Sequence, residues 1–453
     1  MDFAGKRVVV VGLGRSGLSA CRWLRSEGAQ VLASDIKREE EMDPAFLEEA
    51  LELGVKVEAG GHRTETFLES DWIIVSPGVP LDMAPLRKAR EAGIPVTGEM
   101  DLASRLVDVP ILGVTGTNGK STATAFLGFM LERAGRKVFV GGNIGTPLMD
   151  FVGRKVSADL AVVEVSSFQL DAMDRFHPAL SLILNISPDH LDRYPDYEAY
   201  AASKLKIFKN QGPGDYVILN DDDEILARVQ PGEGPTFLRY GTERRDHRQA
   251  FLEGDRLRVL MDDGKEADFD LGGFALPGIH NRQNLMGCVL AGLVLGVEER
   301  VVQESIDRFR GLPHRMEFVG NFQGVDFYDD SKATNVEAAA RAVEGFDRPV
   351  ILIAGGRDKG GDYAALAEAS KNRVKAALLM GEAKDLLAKA LRYVVPVYRV
   401  EDMGEAVQKA FEISDPGDVV LLAPACSSFD MFRDYAQRGE VFKKEARSLG
   451  HGR

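Results

Sequence analysis

Apolar residues along the chain come in short continuous runs, each closed by glycine or a polar cluster and followed by a stretch with helical spacing. Residues 7–12 form the first run, ending in Gly-Leu-Gly. A continuous apolar run of this length reads as a buried parallel strand. Residues 16–27 then place Leu18, Cys21, Trp23 and Leu24 at helical spacing and stop at Gly28. Residues 30–35 and 72–76 are further strands, the second closed by Pro77-Gly78. This βαβ alternation predicts a small doubly wound domain over residues 1–98.

A second series begins at Pro110 and is expected to occupy residues 99–310. Residues 111–115 are a strand, followed by a Gly-rich loop and a helix to about Arg133; residues 160–165 and 180–185 are strands ending in polar residues. Residues 232–270 are richer in charge and turns and predict a peripheral hairpin. Residues 285–297 are nearly all apolar and predict a buried helix, short of the ~20 residues needed to span a membrane. The third series, residues 311–453, has strands at 350–354 and 419–423. Ligands of open α/β sheets bind beyond the carboxyl ends of the strands, and the polar clusters described below lie at such ends.

Composition narrows the chemistry. The 453 residues carry 56 Lys and Arg against 70 Asp and Glu, a formal charge of −14. A chain this acidic is a poor general polyanion binder, so no nucleic-acid partner is expected and any phosphate site must be built locally. Cys21, Cys288 and Cys426 are far apart and in no metal-ligand spacing, as expected of reduced thiols in a cytoplasmic protein. The N-terminus has no signal-peptide character, and no membrane partner is expected.

Gly12-Leu13-Gly14-Arg15-Ser16-Gly17 follows a strand and opens a helix, and Asp35 ends the next strand. Such a loop lets the backbone and helix N-terminus approach a diphosphate. Gly116-Thr117-Asn118-Gly119-Lys120-Ser121-Thr122 also joins a strand to a helix. Its N–H groups suit phosphates, Lys120 suits the β- and γ-phosphates, and the Ser121 hydroxyl suits Mg²⁺. Position 114, the first glycine of the usual spacing, is Val, so the loop is a variant. Glu164 and His190 sit in polar stretches at the ends of the next strands, with Lys204 following on a helix, and the carboxylate and the imidazole suggest divalent-metal ligands. Further clusters are His280-Asn281-Arg282-Gln283-Asn284, Leu312-Pro313-His314-Arg315-Met316-Glu317, Asp329-Asp330-Ser331-Lys332-Ala333-Thr334-Asn335, Gly355-Gly356-Arg357-Asp358-Lys359, and Pro424-Ala425-Cys426-Ser427-Ser428-Phe429-Asp430, which leads to Arg433, Tyr435 and Arg438-Gly439. A cap or turn explains any one of them; five together are harder to dismiss. A nicotinamide dehydrogenase would account for the first loop and Asp35 but not for the second loop. A non-catalytic scaffold has no use for an intact Lys120, Glu164 and His190.

Together these motifs resemble the Mur ligase family, which shares its ATP core with folylpolyglutamate synthases. The resemblance covers essentially the whole chain and is nearest to the D-glutamate-adding members. It implies a three-domain α/β fold: a Rossmann-like N-terminal domain (1–98) for a UDP-sugar, a central P-loop-type ATP-binding domain (99–310), and a Rossmann-like C-terminal domain (311–453) for the amino acid. The implied reaction is ATP-dependent addition of D-glutamate to UDP-N-acetylmuramoyl-L-alanine through an acyl phosphate, by a cytoplasmic monomer. The resemblance assigns catalysis to Lys120, Glu164, His190 and Lys204. It places ATP at Gly116 to Thr122 and at Asn281, Asn284, Arg315 and Asp330. The UDP-substrate falls to Gly14, Arg15, Ser16, Asp35, Ser76 and Asn143, and D-glutamate to Thr334, Lys359, Ser428, Phe429 and Tyr435. Two Mg²⁺ ions are implied at Ser121, Glu164, His190 and a carbamylated Lys204. The chain has Tyr435 where the family has Phe, and Ile36 where some relatives have Thr.

Overall fold

Three mainly parallel sheets carry the architecture in the computed structural model, which describes residues 1–154, 157–189, 193–261, 264–358 and 360–450. The first sheet contains β1 (Arg7–Val11), β2 (Gln30–Ser34), β3 (Lys56–Glu58), β4 (Trp72–Val75) and β5 (Val96–Gly98), in the order β3-β2-β1-β4-β5. All of its pairings are parallel. Valines 8 to 11 of β1 are buried on both faces, because helices cover both sides of a parallel sheet. The order reverses at β1, and the first Gly-rich loop leaves from that switch point.

The second sheet contains β6 (Ile111–Thr115), β7 (Val138–Gly142), β8 (Leu160–Glu164), β9 (Leu180–Ile183), β10 (Tyr216–Asn220), β11 (Thr236–Tyr240), β12 (Ala250–Glu253), β13 (Arg256–Leu260) and β14 (Glu266–Asp270). Its order is β14-β13-β12-β11-β10-β9-β6-β8-β7. Every residue of β6 and β8 is buried. The segment expected to be a peripheral hairpin meets that expectation in part, at the sheet's edge. β11 joins the sheet parallel to β10, and only β12 to β14 are antiparallel. Leu238 and Tyr240 are buried in β11, and that burial ties the segment to the sheet despite its charged neighbours.

The third sheet contains β15 (Glu317–Phe322), β16 (Val325–Asp329), β17 (Val350–Gly355), β18 (Val374–Met380), β19 (Val397–Arg399) and β20 (Val419–Leu422), in the order β15-β16-β20-β17-β18-β19. β15 and β16 form an antiparallel hairpin; the other pairs are parallel. The chain divides into two compact units, residues 1–270 with 283–305 and residues 271–282 with 306–453. Among the described residues, no helix is long and apolar enough to cross a membrane.

Within the first unit the two sheets are fastened by polar contacts. The Ser19 hydroxyl donates to Asp150 at 2.6 Å, Arg15 to the Gly145 carbonyl at 3.1 Å, and Arg193 to the Gly78 carbonyl at 2.8 Å. Glu99 lies at this junction, 1% exposed, and its Oε1 has no hydrogen-bond partner among the described residues. Burial pushes its carboxyl up to about 8, helped by the nearby charge of Asp150 and opposed by a hydrogen bond from the Met149 backbone. An unfolded glutamate loses its proton near 4.5, so between those values the folded chain holds a proton that the unfolded chain has released. Stability therefore falls as pH rises through this window. Glu99→Gln, neutral at every pH, should melt at a higher temperature than the parent at pH 9 and at nearly the same temperature at pH 4.5. A pH-independent difference would show that Glu99 is not a buried neutral acid.

Candidate active site

The first loop is shaped by close backbone approach. Gly12 has φ 87°. A Cβ on Gly17 would stand 1.9 Å from the Gly12 carbonyl oxygen, so only glycine fits there. The Ser76 hydroxyl donates to that same carbonyl at 2.7 Å. Asp35 braces the turn: its Oδ2 accepts the Leu13 N–H at 2.7 Å and its Oδ1 the Lys37 N–H at 2.9 Å. Above the loop is a cavity of about 570 Å³, and Gly14, Arg15, Ser16, Asp35, Ser76 and Asn143 all line it. His62 and Gln169 line it as well. No motif marks His62; Gln169 stands in the Glu-Val-Ser-Ser-Phe-Gln-Leu stretch, where it also closes a capping box with Ser166.

Asn143 links this cavity to Glu164, at the end of β8. Its Nδ2 donates to Glu164 Oε1 at 2.7 Å. Glu164 is 1% exposed, and its Oε2 has no partner among the described residues. A buried carboxylate oxygen left unsatisfied is costly and is the arrangement expected where a cation belongs. Oxygen donors of this kind suit Mg²⁺.

The second loop is pinned by the end of β9. The N–H of Asn118 donates to Asn185 Oδ1 at 2.9 Å, Asn185 Nδ2 returns to the Asn118 carbonyl at 3.1 Å, and the Thr117 N–H reaches the Asn185 carbonyl at 2.8 Å. Lys120 Nζ donates to the carbonyls of Gly116 and Thr117, both at 2.9 Å. Lys204, on the helix Tyr197–Leu205, reaches the Gly116 carbonyl from elsewhere, at 2.8 Å. It is 2% exposed and lies 4.7 Å from the Tyr200 ring centroid. Burial, followed by the charge of Lys120, holds its ammonium well below the usual lysine range, against the pull of Asp189, Glu164 and Asp171. Ser121 is buried and Thr122 half-buried in the first turn of the helix Lys120–Arg133. Gly119 has φ 82°, and a Cβ there would lie 2.3 Å from Asn284 Nδ2, so Asn284 sits directly on the loop. Asn281 opens the helix Ile279–Val294 and donates to the Pro277 carbonyl at 2.7 Å. His190 lies outside the described residues.

In the second unit Arg315 lies between two non-glycine residues in the left-handed region, His314 (φ 62°) and Met316 (φ 47°). Consecutive carboxylates hold that turn. Asp329 Oδ2 is 2.7 Å from His314 Nδ1, and Asp330 Oδ1 accepts the Met316 N–H at 3.2 Å. Burial pushes the Asp330 carboxyl up to about 7, against the Met316 hydrogen bond and the Arg315 charge. Arg315 and Asp330 are thereby brought together. Thr334 and Ser428 come from loops and Tyr435 from the first turn of the helix Tyr435–Ser448, and they are joined around Arg438 of that helix, a residue of the last polar cluster to which the sequence assigns no role. Arg438 is 2% exposed and donates to Ser331 Oγ at 2.9 Å and to the Ser331 and Cys426 carbonyls at 2.8 and 3.2 Å. Ser331 Oγ in turn donates to the Tyr435 carbonyl at 2.8 Å. Ser428 is buried and Phe429 is 64% exposed. The Tyr435 ring has Lys332 Nζ 4.0 Å from its centroid. Lys359 lies outside the described residues. His314, Glu317 and Asp329 lie close enough to resemble a metal site. The Lys443 ammonium already lies 3.1 Å from both Glu317 oxygens.

Two phosphate-type loops at strand ends, one beside a buried carboxylate and two converging lysines, define a nucleotide-using α/β enzyme. Residues 6–98 match the Mur ligase MurD-like N-terminal domain, residues 114–292 the Mur ligase middle domain, and residues 314–426 the Mur ligase glutamate ligase domain. The chain belongs to the Mur ligase family, the ATP-dependent amide-forming ligases of peptidoglycan precursor synthesis. Similar proteins are the UDP-N-acetylmuramoylalanine–D-glutamate ligases of Desulfosudis oleivorans, 43% identical and covering 100% of this chain and 98% of that one, and of Acidobacterium capsulatum, 44% identical and covering 98% and 96%. Among solved structures, the UDP-N-acetylmuramate–alanine ligase of Thermotoga maritima matches with a TM-score of 0.59 at 19% identity, over 98% of this chain and 99% of that one. A pseudomurein peptide ligase type C from Methanothermus fervidus matches at 0.57 and 20%, over 99% of each chain. At these identities the structural likeness speaks for the three-domain fold alone.

Gly119→Ala tests the second loop. The added methyl meets Asn284 and requires a left-handed φ, so the loop must move. Affinity for a non-hydrolysable ATP analogue, measured by calorimetry, should fall about tenfold or more. Unchanged affinity would separate the loop from the nucleotide.

Proposed function

We propose that this protein joins D-glutamate to UDP-N-acetylmuramoyl-L-alanine with ATP, as a cytoplasmic monomer with domains at 1–98, 99–310 and 311–453. The observation that carries the reading is the route from the first-loop cavity through Asn143 to the buried, half-satisfied Glu164. In this reading the cavity takes the sugar nucleotide and the neighbouring carboxylate, in the same unit, takes a cation. The three buried free cysteines fit a reducing compartment.

A carboxylate resists amines because its charge repels them. Transfer of the γ-phosphoryl group to the substrate carboxylate gives an acyl phosphate with a good leaving group, and the amine of D-glutamate then attacks its carbonyl through a tetrahedral intermediate. Catalysis of such a transfer is mostly positioning and charge stabilisation. In this reading Gly116 to Thr122 cradle the phosphates, and Lys120 turns its ammonium from the loop carbonyls to the β- and γ-phosphates. Asn281, Asn284, Arg315 and Asp330 hold the adenine and ribose. Gly14, Arg15, Ser16, Asp35, Ser76 and Asn143 hold the UDP-sugar. Thr334, Lys359, Ser428, Phe429 and Tyr435 hold D-glutamate, with Lys359 supplying positive charge for a carboxylate. Ser121, Glu164, His190 and Lys204 would hold two Mg²⁺ ions, which supply charge neutralisation for the phosphates. Carbamylation of Lys204 fits its surroundings. A buried lysine beside Lys120 favours the neutral amine that CO₂ requires, and the product is an oxygen donor of negative charge.

The deciding assay is ADP release by the purified protein with UDP-N-acetylmuramoyl-L-alanine, comparing D-glutamate with L-glutamate and L-alanine. Only D-glutamate should support turnover, and Lys120→Ala should lose about 10²–10³-fold of it while keeping its fold. Equal use of L-alanine would remove the substrate assignment.

Lys204→Ala should be inactive, with partial recovery on adding short carboxylic acids that fill the vacated space. Wild-type turnover by that variant in CO₂-depleted buffer would exclude a carbamylated Lys204 from the mechanism.

A further inference from the structure

β17 and β20 are parallel neighbours, and the loops that leave their carboxyl ends run against each other. The Arg357 N–H donates to the Ser427 carbonyl at 2.9 Å, the Ser427 N–H returns to the Arg357 carbonyl at 3.1 Å, and Ser427 Oγ donates to that carbonyl at 3.1 Å. A Cβ on Gly356 would lie 2.1 Å from the Ser427 oxygen, so the approach is as close as backbone allows. Tyr363, at the N-cap of the helix Ala364–Ser370, ends the segment that follows β17 and links Asp358 of that segment to Cys426 of the other. Its ring is packed in the core of the third sheet with Leu366, Ala425 and Cys426. Its hydroxyl donates to Asp358 Oδ1 at 2.7 Å and lies 3.2 Å from Cys426 Sγ. The carboxylate can only accept, so the tyrosine proton points to Asp358 and the Cys426 thiol donates to the tyrosine oxygen. Burial raises both the tyrosine and the thiol above their ordinary ranges, so both keep their protons at neutral pH.

We propose that Tyr363 is a specificity-determining positioning residue for the amino-acid substrate, whose hydroxyl fixes the separation of the loops after β17 and β20. The inference rests on the placement of D-glutamate in these loops proposed above. Ser428 is two residues from Cys426 and buried. D-Glutamate presents two carboxylates at a set spacing, so a site that selects it needs its contacts at a matching distance. A tyrosine anchored in the core and bonded to both loops sets that distance without touching the substrate.

Tyr363→Phe keeps the ring and its packing and removes only the tie. In the ADP-release assay the KM for D-glutamate should rise about tenfold, the order expected for one charge-assisted hydrogen bond. The KM for ATP, kcat and the thermal midpoint should stay near wild-type values. Preference for D-glutamate over D-aspartate, whose carboxylates are one methylene closer, should fall. Asp358→Ala should reproduce the effect, Asp358→Asn should largely spare it because an acceptor oxygen remains, and the double variant Tyr363→Phe/Asp358→Ala should be no worse than either single change. A D-glutamate KM within twofold of wild type in folded Tyr363→Phe, or additive effects in the double variant, would overturn the proposal. Wild-type protein that releases no ADP with D-glutamate would instead overturn the functional reading, so the two failures are distinct.

Discussion

Two ammonium groups converge on one backbone carbonyl. Lys120 and Lys204 both donate to the Gly116 oxygen, at 2.9 and 2.8 Å. Two like charges this close in a buried place repel each other, and that repulsion adds to burial in holding Lys204 well below the usual lysine range. Asn185 clamps the loop from the end of β9, and Tyr200 lies under the Lys204 ammonium. Such a site is built for anions. In the proposed function a triphosphate would neutralise Lys120, and conversion of Lys204 to a carbamate would remove the second positive charge altogether.

The same device recurs at the other strand ends. Each sheet has a backbone approach too tight for a Cβ at its strand ends: Gly17 on Gly12 within the turn after β1, Gly142 at the end of β7 on Glu164 at the end of β8, and Gly356 after β17 on Ser427 after β20. Side-chain carboxylates then brace the loops: Asp35 for the first, Asp329 and Asp330 for the turn around Arg315, Asp358 through Tyr363 for the last. Rigid loops on buried parallel strands hold polar groups at fixed spacings, which positioning catalysis requires.

Much of this was legible in the residues. Buried parallel strands announce themselves as continuous Val, Ile and Leu runs, and β1, β6, β8, β17 and β20 were read that way because both faces of such a strand are apolar. The two Gly-rich loops were legible because the required backbone geometry restricts the residue type. The place of residues 232–270 was legible in part: charge and turns suggest a peripheral hairpin, and β12 to β14 are antiparallel at the sheet's edge, while the burial that joins β11 to β10 depends on packing that local charge does not reveal.

The sequence alone determined the buried strands with continuous apolar runs, the two nucleotide-type loops and the set of polar strand ends, since each depends on local periodicity or on a backbone angle that few residues accept. Only the tertiary structure decided which strand ends are neighbours. That decision brought Lys204 to Gly116, Asn143 to Glu164, Arg438 beneath Ser331 and Cys426, and Tyr363 between Asp358 and Cys426. Apart from Tyr363 with its near neighbour Asp358, these pairings join separate segments of the chain. Their energies come from burial and from hydrogen bonds that exist only once the sheets are assembled, and no local pattern encodes them.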